Sequence, residues 1–122
     1  MIRPKVITIC GSSRFIEVMA ICAWFLERDE GAIALSLHLI PRWYPGCTDH
    51  HQAEAEGVAV SMDELHLRKI DLSDEVFVVD WDGYVGESTK REIEYTKGLG
   101  KPIRWFSSDP LGERVRDLMA RA

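Results

Sequence analysis

The chain has 122 residues, of which 46% are hydrophobic and 29% charged. That is enough to bury roughly two-thirds of the unfolded surface in one domain, and it excludes wholesale disorder. Fifteen Lys and Arg against twenty Asp and Glu leave a net charge of −5, a poor match to a nucleic acid polymer, which needs a basic face. No apolar run reaches the ~18–20 residues of a membrane span.

Three cysteines, Cys10, Cys22 and Cys47, form an odd set with no CxxC spacing and read as reduced thiols. Met1-Ile2-Arg3-Pro4-Lys5 runs straight into a strand with no cleavable signal in view, so a small soluble cytoplasmic domain is expected, one unit over residues 1–122.

Val6-Ile7-Thr8-Ile9-Cys10 is a short β-branched run closed by Gly11-Ser12-Ser13. Phe15, Val18, Met19, Cys22, Phe25 and Leu26 then recur at helical spacing, and Gly31 stops that helix. Residues 32–37 read as a second strand. Residues 38–60 have no clean period, and a loop of this length usually serves as a lid or binding loop. Ser61-Met62-Asp63-Glu64 spells a capping box, which predicts a helix from there to about Asp71.

Glu75-Val76-Phe77-Val78-Val79-Asp80 is apolar on both faces, as suits a central parallel strand. A helix is expected from Ser88 or Thr89 through Leu99, ended by Gly98 and Gly100, followed by a strand over residues 102–106. Asp109-Pro110 opens a terminal helix with Val115, Leu118 and Met119 inward. Strands alternating with helices predict a doubly wound α/β fold, flavodoxin- or Rossmann-like, with a parallel sheet of four to five strands and helices on both faces. Ligands in such folds bind beyond the carboxyl ends of the strands, which directs the search to residues 10–14, 37–60 and 80–92.

At the first of these, Gly11 permits a tight turn, Ser12 and Ser13 offer hydroxyls beside helix amides, and Arg14 adds a forked cation. The set suits a monophosphate, but on this segment alone the simpler reading is favoured, with Ser12 as a plain helix cap and Arg14 solvated. At the third, Glu92 falls in the first turn of a helix that follows a glycine-bearing loop. A carboxylate there can attack an anomeric carbon. Thr89-Lys90-Arg91-Glu92 is also a capping-box spelling, in which Glu92 only reaches back to an amide. Ser88 offers a second phosphate or sugar contact. Glu87 is a weaker candidate, and Glu94 should sit about 160–200° around the helix from Glu92.

Cys10-Gly11-Ser12-x-Arg14, the strand entry Ser73-Asp74-Glu75 with its apolar run, and Glu92-x-x-Tyr95 through Gly100-Lys101-Pro102-Ile103 occur in that order. Together they resemble the nucleoside 2-deoxyribosyltransferase family, in particular its deoxynucleoside 5′-monophosphate N-glycosidase branch, over most of the chain. The resemblance implies Glu92 as nucleophile, with Ser12, Arg14 and Ser88 as phosphate contacts, and a homodimer or higher homo-oligomer. Thr8 stands where the family usually has a tyrosine, and Gly86 where Ser or Asp is common. The family's aspartate falls at His66, with Asp63 one turn earlier on the same helix face, so either Asp63 or His66 is the expected acid.

Asp80 is a candidate sugar contact, while Asp82-Gly83 is a turn signal. Trp43 and Tyr44 suit either base stacking or a subunit contact. Lys90-Arg91 and Lys97 read as a solvated face. Cys47-Thr48-Asp49-His50-His51 lacks a second ligand pair, so no metal is expected, and no cofactor is needed.

The resulting expectation is hydrolysis or transfer of the N-glycosidic bond of a small-molecule nucleoside or nucleotide. The competing readings are a non-catalytic nucleotide-sensing module in the same crevice and a purely structural interaction domain.

Overall fold

A computed structural model describes residues 2–46 and 51–122. Strand β1 (Val6–Gly11) leads through a 3-10 turn (Ser13–Phe15) into helix α1 (Ile16–Glu30) and strand β2 (Ile33–Leu35). Short α2 (Gln52–Ala55) and α3 (Ala59–Leu72) follow, then β3 (Glu75–Val79), a 3-10 turn (Trp81–Gly83), α4 (Glu87–Gly98), β4 (Ile103–Trp105) and α5 (Pro110–Arg121). The sheet has four strands in the order β2-β1-β3-β4, all parallel. This is the expected doubly wound α/β architecture. The chain steps from β1 outward to β2 and then back across to β3, so the order reverses between β1 and β3. Gly11 and Val79 pair at the carboxyl ends of those two strands, where such folds open a crevice.

Side-chain alternation divides the core. Ile7, Ile9, Phe77 and Val79 pack with Met19, Cys22, Leu26, Phe106 and Val115 beneath α1 and α5. Cys10, Val76 and Val78 pack on the other face with Ile70 of α3 and Ile93 of α4. Successive residues of a strand point to opposite faces, so that second face receives Thr8 and Cys10 together. Both are fully buried. Thr8 Oγ1 donates to Lys69 O at 3.1 Å and shares a short hydroxyl contact with Ser73.

Several boundaries follow the local signals. Gly31 ends α1 in the left-handed region at φ 64°. Asp109 caps α5 by accepting from Leu111 N at 3.0 Å, with Pro110 at the first helical position. At Gly112 the helix start lies so close to Phe106 that an added Cβ would stand 1.9 Å from its carbonyl oxygen.

Other expectations are corrected. Helix α3 begins at Ala59, so Ser61 lies inside it and donates to Val58 O at 3.0 Å instead of capping. Helix α4 begins at Glu87 with Gly86 as its N-cap. The Thr89–Glu92 capping box therefore does not form. The stretch expected to be one long loop contains α2 and the start of α3. Of the three α5 residues expected inward, Val115 is buried, whereas Leu118 and Met119 are 41% and 43% exposed; Leu111 is buried beside Val115 instead.

Among the described residues, no helix is long and apolar enough to cross a membrane.

Candidate active site

Three buried polar side chains meet on the α3/α4 face of the sheet. Strand β1 supplies Cys10, α3 supplies His66 and α4 supplies Glu92, with ligand-bearing atoms all within 4.8 Å of one another. Their relative exposures are 0%, 2% and 6%. His66 Nε2 lies 3.0 Å from Ile9 O and 3.7 Å from Cys10 Sγ. Because a carbonyl only accepts, Nε2 carries the ring proton. His66 Nδ1 is buried with no hydrogen-bond partner.

Burial pushes the Glu92 carboxyl up to about 7. The Asp63 charge adds to this, while a hydrogen bond with Cys10 and the charges of Arg91 and Lys69 pull the other way. The Cys10 thiol is pushed well up by burial and by Glu92, so it holds its proton. Burial pulls His66 down to about 4, helped by Lys69 and opposed by its bond to Ile9. His66 is thus a neutral imidazole near pH 7. A neutral imidazole whose single ring proton is engaged by Ile9 O is a poor proton donor, which weighs against His66 and towards Asp63 as the group that assists the leaving base.

Glu92 is buried but not sealed off. It lines a cleft of about 730 Å3 together with Asp63, Ser61, Leu67, Ser88 and Arg91. Asp63 Oδ2 accepts from Ser88 Oγ and from Arg91 NH2, each at 3.3 Å, and Arg91 also donates to Ser88 Oγ at 3.1 Å. Arg91 therefore lines the cleft while its side chain stays 64% exposed, as the expected solvated face requires. Lys90 and Lys97 do lie on that face, paired with Glu87 and Glu94. The cleft joins two carboxyl groups of unlike surroundings, one desolvated and one half-exposed beside a guanidinium. That combination suits acid–base or nucleophilic work on a bond held between them.

The other expected contacts lie elsewhere. Gly11 permits close packing at the strand end, where a Cβ would stand 3.1 Å from Met19 Sδ and 3.2 Å from Val79 O. Ser12 caps the 3-10 turn by accepting from Arg14 N at 3.3 Å. Arg14 is exposed and lies 4.7 Å from the centre of the Tyr84 ring. None of these three residues lines the cleft around Glu92.

Asp80 turns away from a ligand role. Its two oxygens accept from Ser107 N at 2.9 Å and Ser107 Oγ at 2.6 Å, tying the end of β3 to the segment before α5. Asp82 adopts φ 49°, in line with its turn signal. Trp43 is 80% exposed, and Tyr44 donates to Glu56 at 3.4 Å. Cys47, Thr48, Asp49 and His50 fall outside the described residues.

Sequence reasoning treated Cys10 as part of a phosphate turn and overlooked Lys69, whose Nζ donates to Ser36 O at 2.7 Å. The available signal for Cys10 was strand parity: it shares its face with Thr8, away from the α1 side.

No family model matches the chain, and no curated protein or solved structure matches it either.

Proposed function

We propose that the protein hydrolyses or transfers the N-glycosidic bond of a nucleoside or its 5′-monophosphate, with Glu92 as nucleophile. The observation that carries this reading is Glu92 itself. It is desolvated at the base of a cleft and accompanied there by Asp63, Ser88 and Arg91. A volume of about 730 Å3 falls within the range of small-molecule sites. The order of motifs shared with the nucleoside 2-deoxyribosyltransferase family supports the same assignment.

In this mechanism a Glu92 carboxylate oxygen bonds to C1′ as the bond from C1′ to the base nitrogen breaks. The electron pair of that bond leaves with the base, which takes up a proton from a solvent water at the Asp63 side of the cleft. The hydroxide so formed is neutralised by the proton released when the incoming water or base attacks in the second step. Water or a second base then attacks C1′, the ester to Glu92 breaks and the carboxylate is restored. The developing positive charge on the sugar offsets the cost of ionising a buried carboxyl. Arg91 and Ser88 supply the donors for a phosphate or hydroxyl group, a role that Ser12 and Arg14 do not share with them in this cleft.

The test is incubation with a panel of deoxynucleoside monophosphates and chromatography of the free base. Wild type should release base and Glu92→Gln should lose at least about 100-fold in rate. Equal slow release by both proteins would overturn the mechanism.

One observation favours a sensing module instead. Thr8 is spent on Lys69 O and Ser73, so no first-strand hydroxyl reaches a sugar. Nucleotide-dependent thermal stabilisation without base release would select that reading.

A homo-oligomer is part of the proposal, because Val60 on the cleft wall is 84% exposed and would be covered by a second copy. A monomeric mass by light scattering would contradict it.

A further inference from the structure

We propose that Cys10, His66 and Glu92 form a binding site for a thiophilic divalent ion of the zinc type, and that the ion silences the cleft by occupying the Glu92 carboxylate. The three side chains offer one sulfur, one imidazole nitrogen and one carboxylate oxygen, all within 4.8 Å of one another. That mixture suits zinc or cobalt and is foreign to magnesium or calcium, which take oxygen ligands.

The spacing is close to what one ion requires. Bonds of about 2.3 Å to sulfur and about 2.0 Å to nitrogen at a tetrahedral angle put the two donors about 3.5 Å apart. Cys10 Sγ and His66 Nε2 are 3.7 Å apart. The carboxylate needs a shift on the order of 1 Å to complete the set. Glu92 lines the cleft, which gives the ion a path inward and leaves a fourth position for water.

His66 is suited to the task in two ways. It is neutral, so it need not lose a charge to ligate, and its Nδ1 has no partner. On binding, Nε2 releases its bond to Ile9 O and the ring proton passes to Nδ1. Cys10 gives up its thiol proton to solvent, and any proton held by Glu92 leaves as well. Uptake of the ion therefore releases one to two protons and involves no change of oxidation state.

Binding of the ion stands independently of the glycosidase reading; only the loss of turnover rests on it. Cobalt chloride added to the purified full chain should produce a thiolate-to-cobalt charge-transfer absorption. Zinc should displace it, and a chelator should abolish it. Cys10→Ala should lack the band, whereas Cys22→Ala and Cys47→Ala should keep it. Glu92→Gln, which is nearly isosteric and should leave the circular dichroism unchanged, should bind zinc at least about tenfold more weakly in chelator competition.

Absence of the band from wild type, its survival in Cys10→Ala, or unchanged zinc affinity in Glu92→Gln would each overturn the site. If wild type releases base, zinc should inhibit it and a chelator should restore it. Activity that persists at saturating zinc would overturn the silencing while leaving the glycosidase reading intact. A cobalt band from a protein that, once stripped of ions by a chelator, still releases no base would sink the glycosidase reading and leave the ion site standing.

Discussion

Replacing Glu92 by Gln should make the protein more stable, and the gain should grow with pH. Burial raises the Glu92 carboxyl from an ordinary 4.5 to about 7, so the folded chain holds this proton more tightly than the unfolded chain. The stabilisation from that proton is complete below about 4.5 and is lost as pH rises through about 7. A difference of roughly 2.5 units at about 1.4 kcal/mol each gives about 3 kcal/mol.

Gln has nearly the same shape, never ionises, and can still accept from Cys10. Urea unfolding followed by tryptophan fluorescence, at pH values from 4.5 to 8 and with a chelator present, measures the difference. The two proteins should be nearly equal at the acid end. The variant should lead by about 3 kcal/mol above neutrality, a shift of roughly 10 °C in Tm for a domain of this size. A gap that does not change with pH, or a variant less stable throughout, would refute the claim that a desolvated carboxyl is held here against its preference. Such tension between stability and a reactive group is common at sites that perform chemistry.

The same carboxyl should govern turnover. Release of base should rise about tenfold per pH unit below about 7 and level off above it, because the nucleophile must be ionised; a profile that falls across that range would make Glu92 a proton donor instead. Asp63→Asn should slow base release by about 100-fold while leaving the circular dichroism unchanged, and an unaltered rate would remove Asp63 from the mechanism. Gly112→Ala should cost about 3 kcal/mol in urea unfolding, since its Cβ would stand 1.9 Å from Phe106 O and α5 would have to lift from the sheet; near-neutral behaviour would mean that the helix start adjusts freely.

Much of this protein was readable before its fold was known, wherever the physics is local. The β-branched run of β1, the apolar stripe of α1 from Val18 to Leu26, the left-handed stop at Gly31 and the Asp109-Pro110 start of α5 depend on neighbours a few residues away. Alternation of strands with helices then implies a parallel, doubly wound sheet, because parallel strands must be joined by crossovers. Glu92 and Asp63 could likewise be nominated from their places in the chain.

Tertiary structure alone decided what those side chains meet. Capping spellings at Ser61 and Thr89 lost to earlier helix starts, at Ala59 and Glu87, in the two helices that pack on the sheet. Asp80 was drawn to Ser107, which lies 27 positions further along the chain. His66 became a neutral imidazole, and Cys10 came to rest beside Glu92, through contacts that join β1, α3 and α4. Desolvation and charge act across space without regard to sequence separation, so the proton affinities that make this cleft a candidate for chemistry exist only once the sheet has closed beneath its helices.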